Sequence, residues 1–374
     1  LVVNAGSSSI KAAVFAPDLT EIAALRVTEI GGAARLQGMG LSQSVTAPDP
    51  AAAMAVILAA LPMPVSALTA AAHRVVHGGD ALTAPCRVTD AVAQGIEACI
   101  PLAPLHNPAN LTAIRALETL APNLPQYASF DTAFHATNPD VARRYALPQR
   151  AEALGIKRYG FHGISYASLT ARLPGIIGGA LPGRVLALHL GNGASICAIR
   201  DGKSVATSMG YSPLEGLTMG TRGGSLDPAV VLDLAERHGV QGAAQILNRE
   251  SGLLGLGGAA DMRALRGLAT PEARFAIEHF AYSAVRHAGS LMAAMGGLDG
   301  IVFTGGIGEH DAQLRADVCH ALAWLGVRLD APRNAQACGD EILPIHAPDS
   351  RIEVWVVPTD EGRVAAREAA ALLR

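Results

Sequence analysis

The chain has 374 residues, half of them hydrophobic but only 4% aromatic, and a formal net charge of −3. That length suits two domains with substantial cores, and the charge argues against a nucleic-acid partner bound by counterion release. The most apolar stretch, residues 51–72, is interrupted by Pro62 and Pro64 and makes a poor membrane span.

The first predicted element is a hairpin. Leu1-Val2-Val3 and Ala12-Ala13-Val14-Phe15 read as strands around Asn4-Ala5-Gly6-Ser7-Ser8-Ser9-Ile10-Lys11. Small residues, hydroxyls and backbone N–H groups suit a phosphate, because no side chain blocks backbone approach. Lys11 is one of only three lysines among 29 basic residues, and a lysine offers phosphate a compact point charge. Residues 65–76 lead through a strand into His73-Arg74-Val75-Val76-His77-Gly78-Gly79. His73 and His77 have i, i+4 spacing, but Arg74 stands where a zinc protease needs glutamate. A helix follows, with Asn107 as N-cap, Pro108 in its first turn, Leu111, Ile114, Leu117 and Leu120 on one face, and a stop at Pro122. Gln126 to Phe130 reads as a strand ending at Asp131, and Tyr159-Gly160-Phe161-His162-Gly163 sets His162 beside glycines.

The hairpin then recurs. Val185-Leu186-Ala187-Leu188 and Ile196-Cys197-Ala198-Ile199 flank His189-Leu190-Gly191-Asn192-Gly193-Ala194-Ser195. Gly202-Lys203-Ser204 resembles the end of a Walker loop but lacks its first glycine, so it reads as an ordinary turn. Met209 to Gly224 is a glycine-rich loop carrying Arg222. Gly255 to Ala260 lacks a preceding strand and is not a dinucleotide fingerprint. A long helix is expected from Pro271, capped by Thr270, to about Met295. Ile301-Val302-Phe303 reads as a buried strand entering Thr304-Gly305-Gly306-Ile307-Gly308. Ile352 to Val357 is the last strand, and Glu361 to Leu373 is a terminal helix packing back on the first domain.

Strands alternating with amphipathic helices indicate an α/β fold, and two like hairpins suggest two similar domains facing one nucleotide. Five scattered cysteines without a C-x-x-C pair, and an opening without a signal-peptide pattern, are those expected of a cytoplasmic protein without structural zinc. A single loop histidine or aspartate is more often structural than catalytic. The joint placement of these groups at strand ends beside two phosphate turns favours a ligand site.

Taken together, the blocks at 4–11, 73–79, 101–108, 130–135, 159–165, 189–195, 208–224 and 303–309 closely resemble the acetate kinase family. That family lies within the superfamily of sugar kinases, heat-shock chaperone ATPases and actin. The resemblance implies two similar ribonuclease-H-like (actin-like ATPase) domains with an active-site cleft between them. Residues 1–134 with 362–374 would form one lobe and 135–361 the other. It implies reversible transfer of the ATP γ-phosphoryl to acetate, with Mg2+ or Mn2+, in a cytoplasmic homodimer. By motif, Asn4 and Glu361 match the metal site. Ser7, Ser9 and Lys11 match ATP contacts in the first hairpin, and His189, Leu190, Gly191, Asn192 and Gly193 the second phosphate loop. Asp261, Met262 and Arg263, with Gly306, Ile307, Gly308, Glu309 and His310, match nucleotide-binding segments. Arg74 matches the carboxylate-binding arginine, and Asp131 the active-site acid. His162 and Arg222 match transition-state stabilisers, and Val76, Leu105, Phe161 and Pro213 the acyl pocket. The chain departs from the family pattern at Ala206, Ser225, Asp360 and Gly362. A propionate-preferring short-chain acyl kinase and a non-catalytic ATP-binding protein of the actin or chaperone type are the alternatives.

Overall fold

Successive strand residues point to opposite faces of a sheet, and this rule sorts the N-terminal hairpin. Residues 1–6 and 8–373 are described by the computed structural model. The chain divides into two units, Leu1–Phe134 with Asp360–Arg374, and His135–Thr359. Among the described residues, the first unit holds one eight-stranded sheet. Its strands are β1 (Val2–Ala5), β2 (Ile10–Phe15), β3 (Glu21–Thr28), β4 (Arg35–Gly38), β5 (Leu41–Ser44), β6 (Ala71–Val75), β7 (Cys86–Arg87) and β8 (Gln126–Phe130). They lie in the order β5-β4-β3-β2-β1-β6-β8-β7, with β6 parallel to both β1 and β8.

Val3, Ile10 and Leu25 face the helices Pro50–Ala59 and Asn107–Leu120, where Met54, Ile57, Ala113 and Leu117 complete a buried core. Val2, Ala72 and Tyr127 face the other way, against Ala365 and Ala369 of the terminal helix Glu361–Leu372. Asn4, Arg74, Ser129 and Asp131 follow Val2, Ala72 and Tyr127 by even steps, so they share this second face. Lys11 joins them, because it pairs with Asn4 across the hairpin. Ser129 Oγ meets Glu368 Oε2 at 2.5 Å, which pins the terminal helix over the face and sets its first residue, Glu361, beside Arg74.

The helix at 107 differs from expectation at both ends. Asn107 is not its cap; it is the first helical residue, after His106. Its buried carboxamide accepts from the His77 N–H and donates to the His77 and Ile96 carbonyls, so it holds the segment after β6 instead. Leu120 is 43% exposed, because the last turn runs past the core that buries Leu111, Ile114 and Leu117. The strand expected over 65–76 is confined to Ala71–Val75, preceded by a single 3-10 turn at Val65–Ala67.

The second unit holds a six-stranded sheet, with strands β9 (Arg184–Leu190), β10 (Ala194–Arg200), β11 (Lys203–Thr207), β12 (Gly300–Thr304), β13 (Leu343–Pro344) and β14 (Glu353–Val356). The order is β11-β10-β9-β12-β14-β13. β9 and β10 form the second expected hairpin, with Leu190 opposite Ala194 across the Gly191–Gly193 turn. The expected long helix spans Pro271–Met295, with Thr270 Oγ1 accepting from the Ala273 N–H. Among the described residues no helix is long and apolar enough to cross a membrane.

Three buried histidines make stability depend on pH. Burial lowers His73, His77 and His135 to about 4. The unfolded chain protonates them near the ordinary histidine value of about 6.5, so it binds more protons than the folded chain between about 4 and 6.5. The contribution is fully present above that window and is lost as the pH falls through it. We expect the urea midpoint to drop from neutrality to about pH 5, with up to about 3 kcal/mol lost per histidine by pH 4. A flat midpoint across this window would show that these rings are not buried neutral.

Candidate active site

In the first unit the site is built around Arg74. Its Nε and Nη2 donate to the Asp131 carboxylate at 2.8 to 3.2 Å, and its Nη1 meets Glu361 Oε2 at 3.0 Å. Asp131 reaches it because Arg74 registers opposite Ser129, two residues earlier on the adjacent parallel strand. Burial alone would favour a neutral guanidine, but the two carboxylates outweigh it and raise the pKa of Arg74. The bidentate edge expected to take a substrate carboxylate therefore holds Asp131. Asp131 is 1% exposed and has an arginine to organise. Asn4 is half-buried on the same sheet face and Lys11 is exposed beside it. The Gly6 N–H donates to the Ser9 carbonyl at 2.7 Å and closes the first turn. Ser7 lies outside the described residues. Val76 is half-buried, its N–H held by Asn110, and Leu105 is 40% exposed.

In the second unit Arg222 is the main cation. It is half-buried, and its Nη1 donates to the Pro213 carbonyl at 2.6 Å. Among the described residues no carboxylate pairs with it, and burial lowers its pKa to about 10, so it remains charged at neutral pH. The Met219 N–H donates to the Arg222 carbonyl, and the Gly220 N–H to the Asn192 carbonyl, which ties this loop to the second turn. A Cβ added at Gly193 would sit 2.8 Å from Arg222 Nη2 and 3.2 Å from His162 Nε2. The glycine therefore leaves a gap into which two nitrogen groups converge, and such a gap suits an anionic oxygen.

His162 adopts the left-handed conformation, with φ 58° and ψ 22°, just before the helix Gly163–Ile177. A non-glycine residue rarely does so unless its surroundings hold it. Here His135 Nε2 meets the Phe161 carbonyl at 2.9 Å, Ser195 Oγ meets His162 Nδ1 at 2.8 Å, and the His189 ring stacks on His162 with centroids 4.1 Å apart. Phe161 is 2% exposed and Pro213 half-buried. Leu190 is fully buried, so it can offer a ligand only backbone.

The nucleotide segments are less direct than their motifs suggest. Asp261 caps the helix Met262–Leu268 through the Ala264 N–H, Met262 is buried in the core, and the Arg263 side chain is 92% exposed. Glu309 is turned inward, its Oε1 accepting from the Gly305 and Thr359 N–H groups at 2.8 Å each. Its carboxylate thus fixes the turn between β12 and the helix Gly305–His310. Gly306, Ile307, Gly308 and His310 lie on that short helix. Fully buried Arg315 holds its end, donating to the carbonyls of Gly308, Glu309, Asn334 and Ala337 and to Asn334 Oδ1. Sequence reasoning missed Arg315, the Glu361 contact of Arg74, and the side chains of Ser195 and Tyr166. One cue was available: Ser195 is a polar residue in a run otherwise small and apolar.

The family model of the acetokinase family matches residues 1–367. The chain is 45% identical to an acetate kinase of Rhodopseudomonas palustris, over 98% of this chain and 96% of the relative. It is similar to the crystal structure of Porphyromonas gingivalis acetate kinase, at 37% identity and TM-score 0.92, covering 100% of this chain and 99% of that one. A propionate kinase from Francisella tularensis matches at 34% identity and TM-score 0.92, covering 98% of each chain. These relatives share the mixed α/β, actin-like ATPase fold of the two sheets described above. With the model match running nearly end to end and the fold agreeing throughout, the chain belongs to the acetokinase family.

Proposed function

We propose that this chain transfers the γ-phosphoryl of ATP reversibly to acetate, giving acetyl phosphate and ADP by direct in-line transfer. Its family makes it a phosphotransferase with a carboxyl acceptor, using ATP and ADP. The observation that carries the in-line reading is Arg222, a half-buried cation that no carboxylate pairs with among the described residues and that converges with His162 on the Gly193 turn. A carboxylate nucleophile is already ionised at neutral pH and needs no base. The physical difficulty is bringing an anion up to a polyanion, and charge stabilisation of the equatorial oxygens answers it. Asp131 then serves to hold Arg74, the cation that receives the substrate carboxylate, while Glu361 meets its Nη1.

A divalent cation is expected of the family. Asp131, Glu361 and the amide of Asn4 offer oxygen donors beside Arg74 and Lys11 on this face of the first unit. Among the described residues no three His, Cys, Asp or Glu side chains form a metal cage. That sparse oxygen set fits Mg2+, which keeps several waters and is shared with substrate phosphates; Mn2+ favours the same donors. Asn4 and Glu361 would hold it, and it would supply neutralising charge at the phosphates. The proposal includes a cytoplasmic location and a homodimer, the dimer supported by the exposed Phe275 and Tyr282 seven residues apart on one helix face.

Propionate is the competing acceptor, and the Francisella relative favours it. Val76 is the residue that argues for a smaller acyl group. One methylene in an apolar pocket is worth about 1–3 kcal/mol, so acyl-hydroxamate assays should rank acetate above propionate and propionate above butyrate by about tenfold or more per step. Equal rates with all three acids would refute the small-pocket reading, and ATP turnover indifferent to any carboxylate would refute the kinase reading.

A further inference from the structure

We propose that Tyr166 and Ser195 are positioning residues, a hydroxyl relay that fixes the tautomer of His162 so that Nε2–H, and not a lone pair, faces the Gly193 turn. This rests on the reading of His162 as a hydrogen-bond donor to the transferring phosphoryl. Tyr166 Oη lies 2.5 Å from Ser195 Oγ, and Ser195 Oγ lies 2.8 Å from His162 Nδ1. Both hydroxyl residues are fully buried.

The far end of the relay sets its direction. Tyr166 is a phenol with one proton to give, and Ser195 Oγ lies 2.5 Å from it. Burial raises the tyrosine pKa well above its ordinary value, so the phenol keeps its proton and directs it to Ser195 Oγ. Ser195 in turn donates to His162 Nδ1. A neutral imidazole that accepts at Nδ1 carries its proton on Nε2. Reversing the relay would have Ser195 donate to Tyr166 Oη and send the phenolic proton to a third group.

The ring is also held against turning over. It stacks on His189 at an interplanar angle of 22°, and His189 Nδ1 is paired with Ser165 Oγ at 2.9 Å. The His135 contact to the Phe161 carbonyl fixes the strained backbone from the other side. The face of Nε2 therefore stays toward Gly193 and Arg222 Nη2. A lone pair there would repel a phosphoryl oxygen, whereas an N–H adds to the pull of Arg222. The ionisable groups around the ring are His189, Arg222 and Tyr166, with Cys197 and His135 behind them. Burial raises Cys197 to about 12 and lowers His135 to about 4, so both are neutral in the range tested.

The test uses the full chain with Ser195→Ala and Tyr166→Phe, checked for folding by circular dichroism. Nitrogen spectra of histidine-labelled protein, with His162→Gln for assignment, should show the Nε2–H tautomer in the wild type and a mixture in Ser195→Ala. In that variant kcat should fall about tenfold or more near pH 8, the scale on which a histidine's supporting partner acts elsewhere, with acetate KM little changed. Tyr166→Phe should give the same pattern at smaller amplitude, and it carries the test if Ser195→Ala does not fold. A wild-type Nδ1–H tautomer, or an unchanged kcat in Ser195→Ala, would overturn the relay. Wild-type kcat in His162→Gln would overturn the role of His162 itself, while the nitrogen spectrum still decides the relay.

Discussion

Arg222→Ala is expected to lower kcat by about 10³-fold or more, with far smaller changes in KM for acetate and ATP. The reason lies in what surrounds the guanidinium. It is partly desolvated, has no carboxylate to neutralise it among the described residues, and is anchored through Nη1 to the Pro213 carbonyl. Its Nη2 approaches the gap beside Gly193. A preorganised charge of this kind acts where negative charge spreads during transfer, and less in the ground state. A half-buried cation without an anionic partner among the described residues adds little to the fold, so the thermal midpoint of the variant should stay level or rise. Steady-state kinetics in both directions, with a thermal melt, measure the two together. A variant that raises KM at unchanged kcat would assign Arg222 to ground-state binding. A variant that loses activity and stability together would assign it to the fold.

Asp131→Asn should reduce kcat/KM for acetate by about 100-fold, the scale on which a small misplacement of a binding group acts. The carboxylate grips Nε and Nη2 of Arg74, and an amide offers one oxygen and an NH2 group that faces a cation poorly. Arg74 would then lean toward Glu361, which already meets Nη1. Because acetate needs no base, the shape of the pH–rate profile should be retained. If the variant instead removes one ionisation from the profile of kcat, Asp131 transfers a proton and the positioning account fails.

Much of this protein is legible in its residues alone. Both hairpins, the helix Pro271–Met295 with its Thr270 cap, and the terminal helix follow from local rules: apolar alternation, small residues at turns, a hydroxyl before a proline-led helix. The ordered motifs carry the family as well, because each is a short run whose chemistry survives without its neighbours. Asn107 shows where such rules stop. Its sequence position is that of a cap, yet the His77 and Ile96 backbone claims its carboxamide, and no local pattern reports a partner 30 residues away. Glu309 likewise sits in a ligand motif but satisfies two backbone amides, one of them 50 residues distant.

What only the tertiary structure decided is how the charges are apportioned. The sequence offers 26 arginines with nothing to rank them by environment. Parallel pairing of β6 with β8, and the terminal helix laid over that face, give Arg74 two carboxylates. The loop that closes on the second hairpin leaves Arg222 without any among the described residues. The first cation is thereby held in place and the second kept available to an anion. That difference arises from pairings between segments far apart in the chain, so it is a property of the folded sheet and not of any motif.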